Sequence, residues 1–223
     1  MELSKEQSLA LLVLAKSSLK DRFYWTGGTL LSHYYLKHRL SLDIDFFTEI
    51  PFGFEEVNAW VQEYKQKAGF VNVSYKKIFD RYEFIFSEPN QLRVEFVLYN
   101  HEKKTLGERI EYQGVLIDSL EDIAANKVMA MCDRNEPKDL FDIYFLLTKK
   151  GFTAESMIDL AQRKFGVSIS ESLFWSEPFK ALEILDELKP LMLGSEENNK
   201  KIISEIKDYF EKNSAKFLRK QLI

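Results

Sequence analysis

Gly27-Gly28-Thr29, followed fourteen residues later by Asp43-Ile44-Asp45, constrains this chain more than any other stretch. Two glycines between the apolar run Phe23–Thr26 and a helix predicted from about Thr29 to Lys37 ask for strand, tight turn, helix. The next run, Leu40–Thr48, is apolar on both sides of its aspartates and reads as a second strand. Aspartates at i and i+2 of a strand project from one face, roughly 7 Å apart along the backbone. Their carboxylates can lean together onto one Mg²⁺, which takes oxygen ligands and often substrate phosphates as well. Without a cation the pair repels itself and one pKa rises. Charge at the end or edge of an apolar strand is costly unless it has a use.

Each piece alone is weak. Two exposed aspartates on an edge strand are common, and a Gly-Gly pair most often marks a plain turn. Order and spacing strengthen them together. A glycine turn that opens a helix aims backbone N–H groups and the positive helix end at an anion. Strand, glycine turn, helix and carboxylate-bearing strand make a coherent phosphate and metal layout.

Phe23-Tyr24-Trp25-Thr26-Gly27-Gly28-Thr29-Leu30-Leu31 and His38-Arg39-Leu40-Ser41-Leu42-Asp43-Ile44-Asp45-Phe46-Phe47 resemble the first motif of polymerase-β-like nucleotidyltransferases. More narrowly, they resemble the AbiEii/AbiGii branch of abortive-infection toxins. Asp122–Ala130, running on to Arg134, resembles that family's lysine-bearing helix, and Lys138-Asp139-Leu140-Phe141-Asp142-Ile143-Tyr144 its following Arg-Asp-x-x-Asp-Leu motif. Lys138 stands where the family has arginine and loses the bidentate fork, so no role is assigned to it. The resemblance covers about residues 20–148.

It implies an α+β fold: a polymerase-β-like nucleotidyltransferase core, with a mixed sheet flanked by helices, followed by a C-terminal helical region. It also implies an Mg²⁺-dependent transfer of a nucleotide from an NTP to RNA such as tRNA, or to protein. The toxin of an abortive-infection pair with a cognate antitoxin would be the biological role. Asp43 and Asp45 would hold Mg²⁺, Gly27, Gly28 and Thr29 would seat phosphates, Arg39 and Lys127 would meet the nucleotide, and Asp139 and Asp142 would assist catalysis. Sites of this type usually add a third carboxylate on a neighbouring strand, so that metal ions flank the attacking and leaving oxygens. Glu95 in Leu92–Leu98 is the candidate, with Glu83 as runner-up. Two competing functions stay open: a non-catalytic nucleotide-binding regulatory or interaction protein, and a small-molecule nucleotidyltransferase of aminoglycoside type.

Spacing alone reads several of these residues differently. Lys127 and Arg134 share a helix face, as do Asp139 and Asp142 on the next helix, so spacing alone favours an interhelical ion-pair cluster. Arg39, four residues before Asp43, has two uses: neutralising phosphate, or pairing with Asp43 or Asp45. Arg93 and Glu95 could simply mark a solvated strand face.

At 223 residues, 45% hydrophobic and 14% aromatic, the chain has ample material for a core. A single cysteine, Cys132, excludes an intramolecular disulfide and fits a reducing cytoplasm. It reads as helix packing. His33, His38 and His101 have no metal-ligand spacing and read as incidental. The opening Met1–Glu6 lacks signal-peptide character, and no apolar run approaches a membrane span. A cytoplasmic protein without a membrane partner is expected. The net charge of −4 argues against a generic nucleic-acid coat. Residues 198–223 are nonetheless locally basic, which fits a solvated helix face or an RNA contact.

The chain divides at about residue 117. Residues 1–117 read as the α/β catalytic domain, and 118–223 as a helical domain packed on it and contributing nucleotide-site residues. The first part contains an amphipathic helix from Ser4 to Lys20, a helix from Phe54 to Ala68 stopped by Gly69, and a meander over Phe70–Phe79, Tyr82–Phe86 and Leu92–Leu98. One further strand is expected near Glu111–Ile117. Helices are expected over Ser119–Cys132, Pro137–Lys149, Ala154–Lys164, Glu171–Leu188 and Glu196–Phe217.

Overall fold

The computed structural model describes residues 2–99 and 105–221; His101 lies outside them. Ser4 opens helix α1 (Lys5–Lys16) with a capping box, its hydroxyl accepting from the Gln7 N–H while the Gln7 side chain accepts from its own. Strand β1 (Tyr24–Thr26) runs into α2 (Gly27–Leu30), which widens at once into a π-helical turn over Leu31–Leu36. An i→i+5 bond from the Lys37 N–H to the Ser32 carbonyl closes that turn, and Lys37 ends it in the left-handed region at φ 54°.

Strand β2 is Ile44–Thr48, shorter than the strand expected from Leu40. The chain there has other partners: Arg39, just before the expected strand, bridges to Met192, and the Leu40 N–H donates to the Leu191 carbonyl at 2.7 Å. Helix α3 (Phe54–Ala68) ends at Gly69, whose φ of 76° suits a glycine C-cap. Strands β3 (Asn72–Ile78), β4 (Arg81–Ser87) and β5 (Gln91–Leu98) form the antiparallel meander that alternation predicted.

Where one strand was expected near Glu111–Ile117, two occur, β6 (Ile110–Tyr112) and β7 (Val115–Ile117). Between them Gln113 and Gly114 both have positive φ, 53° and 82°, as a two-residue primed turn requires. Gly114 is the one turn-forming residue in this stretch, which leaves the turn weakly marked in the sequence.

The described strands form one sheet in the order β3-β4-β5-β2-β1-β7-β6. β2 runs parallel to β5, and β1 parallel to β7; the remaining pairs are antiparallel. One sheet face is apolar. Phe46, Phe84, Phe86 and Phe96 project from it against Trp60 and Tyr64 of α3, with Trp60 edge-on to Phe96 at 5.1 Å and Tyr64 to Phe86 at 4.8 Å. Alternation therefore sends Asp45, Arg93, Glu95 and Glu83 to the opposite face.

From α4 (Leu120–Arg134) onward the chain is almost wholly helical: α5 (Pro137–Lys149), α6 (Ala154–Phe165), α7 (Glu171–Ser176), α8 (Pro178–Glu183), a 3₁₀ stretch over Leu185–Leu191, and α9 (Glu196–Gln221). The single helix expected over Glu171–Leu188 is three pieces. Pro178 lacks the N–H a continuous helix needs and starts α8 instead, and Pro190 lies in the 3₁₀ stretch. Two compact units result. The first holds the chain through Lys37, then from Ser41, and closes at Leu120; the second holds His38–Leu40, residues around Leu106, and everything from Glu121. Phe141, Phe174 and Phe210 are fully buried in the second.

Candidate active site

In the first unit, Gly27 and Asp45 are fitted to each other. Gly27 adopts φ +82°, and a Cβ built there would lie 2.1 Å from Oδ2 of Asp45. Only glycine allows both the left-handed backbone and the carboxylate's approach. Asp45 pairs in register with Thr26 of β1 on one side and Glu95 of β5 on the other. Glu95 in turn pairs with Glu83, and Glu83 with Lys76. Thr26, Asp45, Glu95, Glu83 and Lys76 thus form one row across five strands, on the face opposite the aromatic core.

Asp43 sits one residue before β2. Its backbone carbonyl accepts a hydrogen bond from the Thr29 hydroxyl, which also bonds Ser41 Oγ at 2.8 Å. The Gln7 side chain reinforces this loop by donating to the Ser41 carbonyl at 2.9 Å. Thr29 is buried, so its side chain positions Asp43. Thr26, at the strand end, donates to the buried Asp118 carboxylate at 2.9 Å, and Arg109 bonds the other Asp118 oxygen at 3.3 Å.

Arg93 of β5 stands among the acids. Its guanidinium bonds Asp43, reaches Glu83 at 3.4 Å and Glu95 at 3.5 Å, and feels the charge of Asp45. Burial opposes its charge, yet the Asp43 bond and the surrounding carboxylates hold it protonated more firmly than usual. Burial raises the Glu95 carboxyl above its ordinary value, against the pull of Arg81 and Arg93. Glu83 moves the other way: burial would raise it, but Lys76, Arg93 and Arg81 together bring it below the usual range. Among the described residues no three acid, histidine or cysteine side chains converge at metal-holding distance. The carboxylates are turned onto arginine instead.

The second unit holds a different cluster. Arg39, 1% exposed, closes on Asp142 through Nε to Oδ1 at 2.7 Å and Nη2 to Oδ2 at 2.8 Å, a bidentate fork. Lys127 Nζ lies 2.8 Å from Asp139 and 2.7 Å from Asp142. Arg134 adds 2.7 and 3.0 Å bonds to Asp139, and His38 Nε2 meets Asp142 Oδ1 at 2.6 Å. Burial would raise the Asp142 carboxyl, but Arg39, Lys127 and His38 hold it well below the usual range. Asp139 is likewise lowered, Lys127 and Arg134 outweighing its burial. Burial depresses the His38 pKa despite Asp142, and among the described residues its buried Nδ1 has no hydrogen-bond partner. Helices α4 and α5, joined at Asn135-Glu136, are cross-linked by these pairs.

Sequence reasoning named Gly27, Gly28, Thr29, Asp43, Asp45 and Glu95, and the structure puts all six in the first unit. It puts Arg39, Lys127, Asp139 and Asp142 in the second. It missed Arg93 as the shared counter-ion, although an arginine two residues from the candidate glutamate lies on the same strand face. Sequence reasoning also missed the pair of Asp122 and Lys164, buried at 2.7 Å, because the two lie on different helices, 42 residues apart. Burial pushes the Cys132 thiol up to about 11, in keeping with a packing role. Along α9, Ile203, Ile206 and Phe210 are buried while Lys200 and Lys201 pair with Glu196 and Glu205 on the exposed face. No described helix is long and apolar enough to cross a membrane.

The family described as nucleotidyl transferase AbiEii toxin, type IV toxin–antitoxin system, matches residues 9–216. A protein of Aquifex aeolicus (strain VF5), itself uncharacterized, is 28% identical over 216 residues, spanning 94% of this chain and 98% of its own. Two solved structures share the fold at low identity. A candidate nucleotidyltransferase from H. pylori aligns over 96% of this chain and 99% of its own at 19% identity, with a TM-score of 0.57. JHP933 from Helicobacter pylori aligns over 83% and 91% at 18% identity, with a TM-score of 0.52. The mixed sheet with helices, followed by a helical region, is the α+β nucleotidyltransferase fold expected.

Proposed function

Given that this chain belongs to the AbiEii family of nucleotidyl transferase toxins and is a nucleotidyltransferase, we propose that its transfer site is built on Asp43 and Asp45 and depends on Mg²⁺. The observation that carries this is the seat of Asp45 against Gly27, with Asp43 fixed by Thr29 and Glu95 level with Asp45 on the adjoining parallel strand. The donor set fits the ion. Carboxylate oxygens are what Mg²⁺ prefers, and Gly27 leaves space for one of them that any other residue would fill. Bound there, Mg²⁺ would neutralise phosphate charge and polarise the α-phosphate toward an acceptor hydroxyl.

The protein's own part is positioning. Asp43, Asp45 and Glu95 would hold the ion, and the Gly27-Gly28 turn would offer backbone N–H groups to the β- and γ-phosphates. The family motifs assign Lys127 to the triphosphate and Asp139 or Asp142 to catalysis, with Arg39 beside them. The ion-pair geometry supports an added role for Lys127, Asp139 and Asp142 as a strut between α4 and α5, with Arg39 tying its own segment to α5. The acceptor in this reading is RNA, such as a tRNA end, or protein. A toxin role implies a cognate antitoxin that silences it.

Incubation with each α-labelled NTP, Mg²⁺ and total RNA tests the proposal. Label transferred to RNA or to protein, and lost with EDTA, is the expected result, and the molecule that carries it identifies the acceptor. NTP binding without transfer would make the chain a non-catalytic binder.

A further inference from the structure

Among the described residues, Arg93 is the one cation whose guanidinium is shared by Asp43, Glu83 and Glu95 and lies in the field of Asp45. Three of those acids are the residues read above as metal ligands, and the inference rests on that reading. A positive group cannot remain among carboxylates that close on a divalent ion, because like charges at such distances repel strongly. Its side chain is 36% exposed and carried on a long flexible stem, so it has room to leave. Once displaced, its planar fork is matched to phosphate oxygens.

We infer that Arg93 is a tethered counter-ion of the carboxylate site, which a divalent cation must displace and which then serves the nucleotide's phosphates. Arg93 therefore acts in opposite directions on the two ligands. It weakens binding of the bare ion and strengthens binding of the nucleotide, so that ion and nucleotide favour each other through it. In the ligand-free protein it also spares Asp43 and Asp45 their mutual repulsion, which keeps the site assembled.

Mn²⁺ alone, titrated without nucleotide and followed by the electron paramagnetic resonance signal of the free ion, provides the first readout. Arg93→Gln is expected to bind Mn²⁺ more tightly than the wild type, on the order of tenfold. Arg93→Lys, which keeps the charge, should stay near the wild-type value. Affinity for a fluorescent ATP analogue in saturating Mg²⁺ should fall in Arg93→Gln, the reverse sign. A purely structural arginine would weaken both ligands or neither. The inference is overturned if Arg93→Gln binds Mn²⁺ no more tightly than the wild type while Asp43→Asn/Asp45→Asn abolishes binding. If the double variant binds Mn²⁺ as the wild type does, the carboxylates are not the metal site, and the metal reading falls with it.

Discussion

The molecule carries two clusters of aspartates and basic residues, and they are built on opposite balances. In the second unit, Asp139 and Asp142 are met by Arg39, Lys127, Arg134 and His38, and both carboxylates are fully buried. Cations are in excess, every carboxylate oxygen has a partner, and water is shut out. In the first unit, one guanidinium serves Asp43, Glu83 and Glu95 and faces Asp45 as well, while Asp43 and Arg93 are each about a third exposed. Here, among the described residues, four acids face three cations, since Lys76 also pairs with Glu83 and Arg81 with Glu95, and solvent reaches Asp43 and Arg93 while Glu83 and Glu95 are buried. A dry, satisfied cluster holds helices in place; a partly exposed cluster with surplus carboxylate can exchange its cation for another.

That contrast breaks most visibly at Gly27. Gly27→Ala forces a Cβ onto Asp45 Oδ2 and requires a left-handed alanine, so Asp45 must move. Nucleotide transfer should fall by about 10²-fold or more, as displacements near 1 Å do in positioned sites. Unchanged activity in Gly27→Ala would mean that Asp45 is not held where the chemistry occurs.

Lys127→Ala should act on stability. It strips the ammonium shared by two buried carboxylates, and a cost of about 3 kcal/mol is expected. Denaturant unfolding measures it, alongside nucleotide affinity. A stable Lys127→Ala protein that has lost its nucleotide would turn the strut into a phosphate ligand. Arg39→Lys is a milder probe: it keeps the charge but loses the fork on Asp142, for a loss of about 1–2 kcal/mol.

The smallest effect is a pH slope. Burial depresses the His38 pKa in the folded protein, whereas an unfolded histidine titrates near about 6.5. Between those values the unfolded chain binds the extra proton, so stability is full above about 6.5 and declines as pH falls toward the folded value. Unfolding free energies at pH 7.5 and 5.5 should differ less in His38→Gln than in the wild type. Equal differences would remove His38 from the account.

Much of this contrast was legible in the residues and some was not. Alternation in Leu92–Leu98 put Arg93 and Glu95 on one face because a strand's period of two is strict, and Gly69 and Pro137 marked helix ends by their backbone limits alone. The parallel register that sets Glu95 level with Asp45 depends on long-range pairing, which no local pattern encodes. The same holds for Arg39: its motif neighbours the aspartates in sequence, yet its fork closes on Asp142, more than a hundred residues on. The Gln113-Gly114 turn was missed because Gly114 alone marks it, and the break at Pro178 because apolar periodicity ran through it.

The most direct test sets one aspartate of each cluster side by side. Asp45→Asn and Asp142→Asn are made separately, and each is assayed for Mg²⁺-dependent transfer from α-labelled NTP and for melting temperature. Asp45→Asn should lose transfer while melting at or above the wild-type temperature, since a repelling charge has gone. Asp142→Asn should melt well below it, with Arg39 and Lys127 left uncompensated. An Asp45→Asn protein that transfers nucleotide at the wild-type rate would contradict the assignment of the first unit's carboxylates to catalysis.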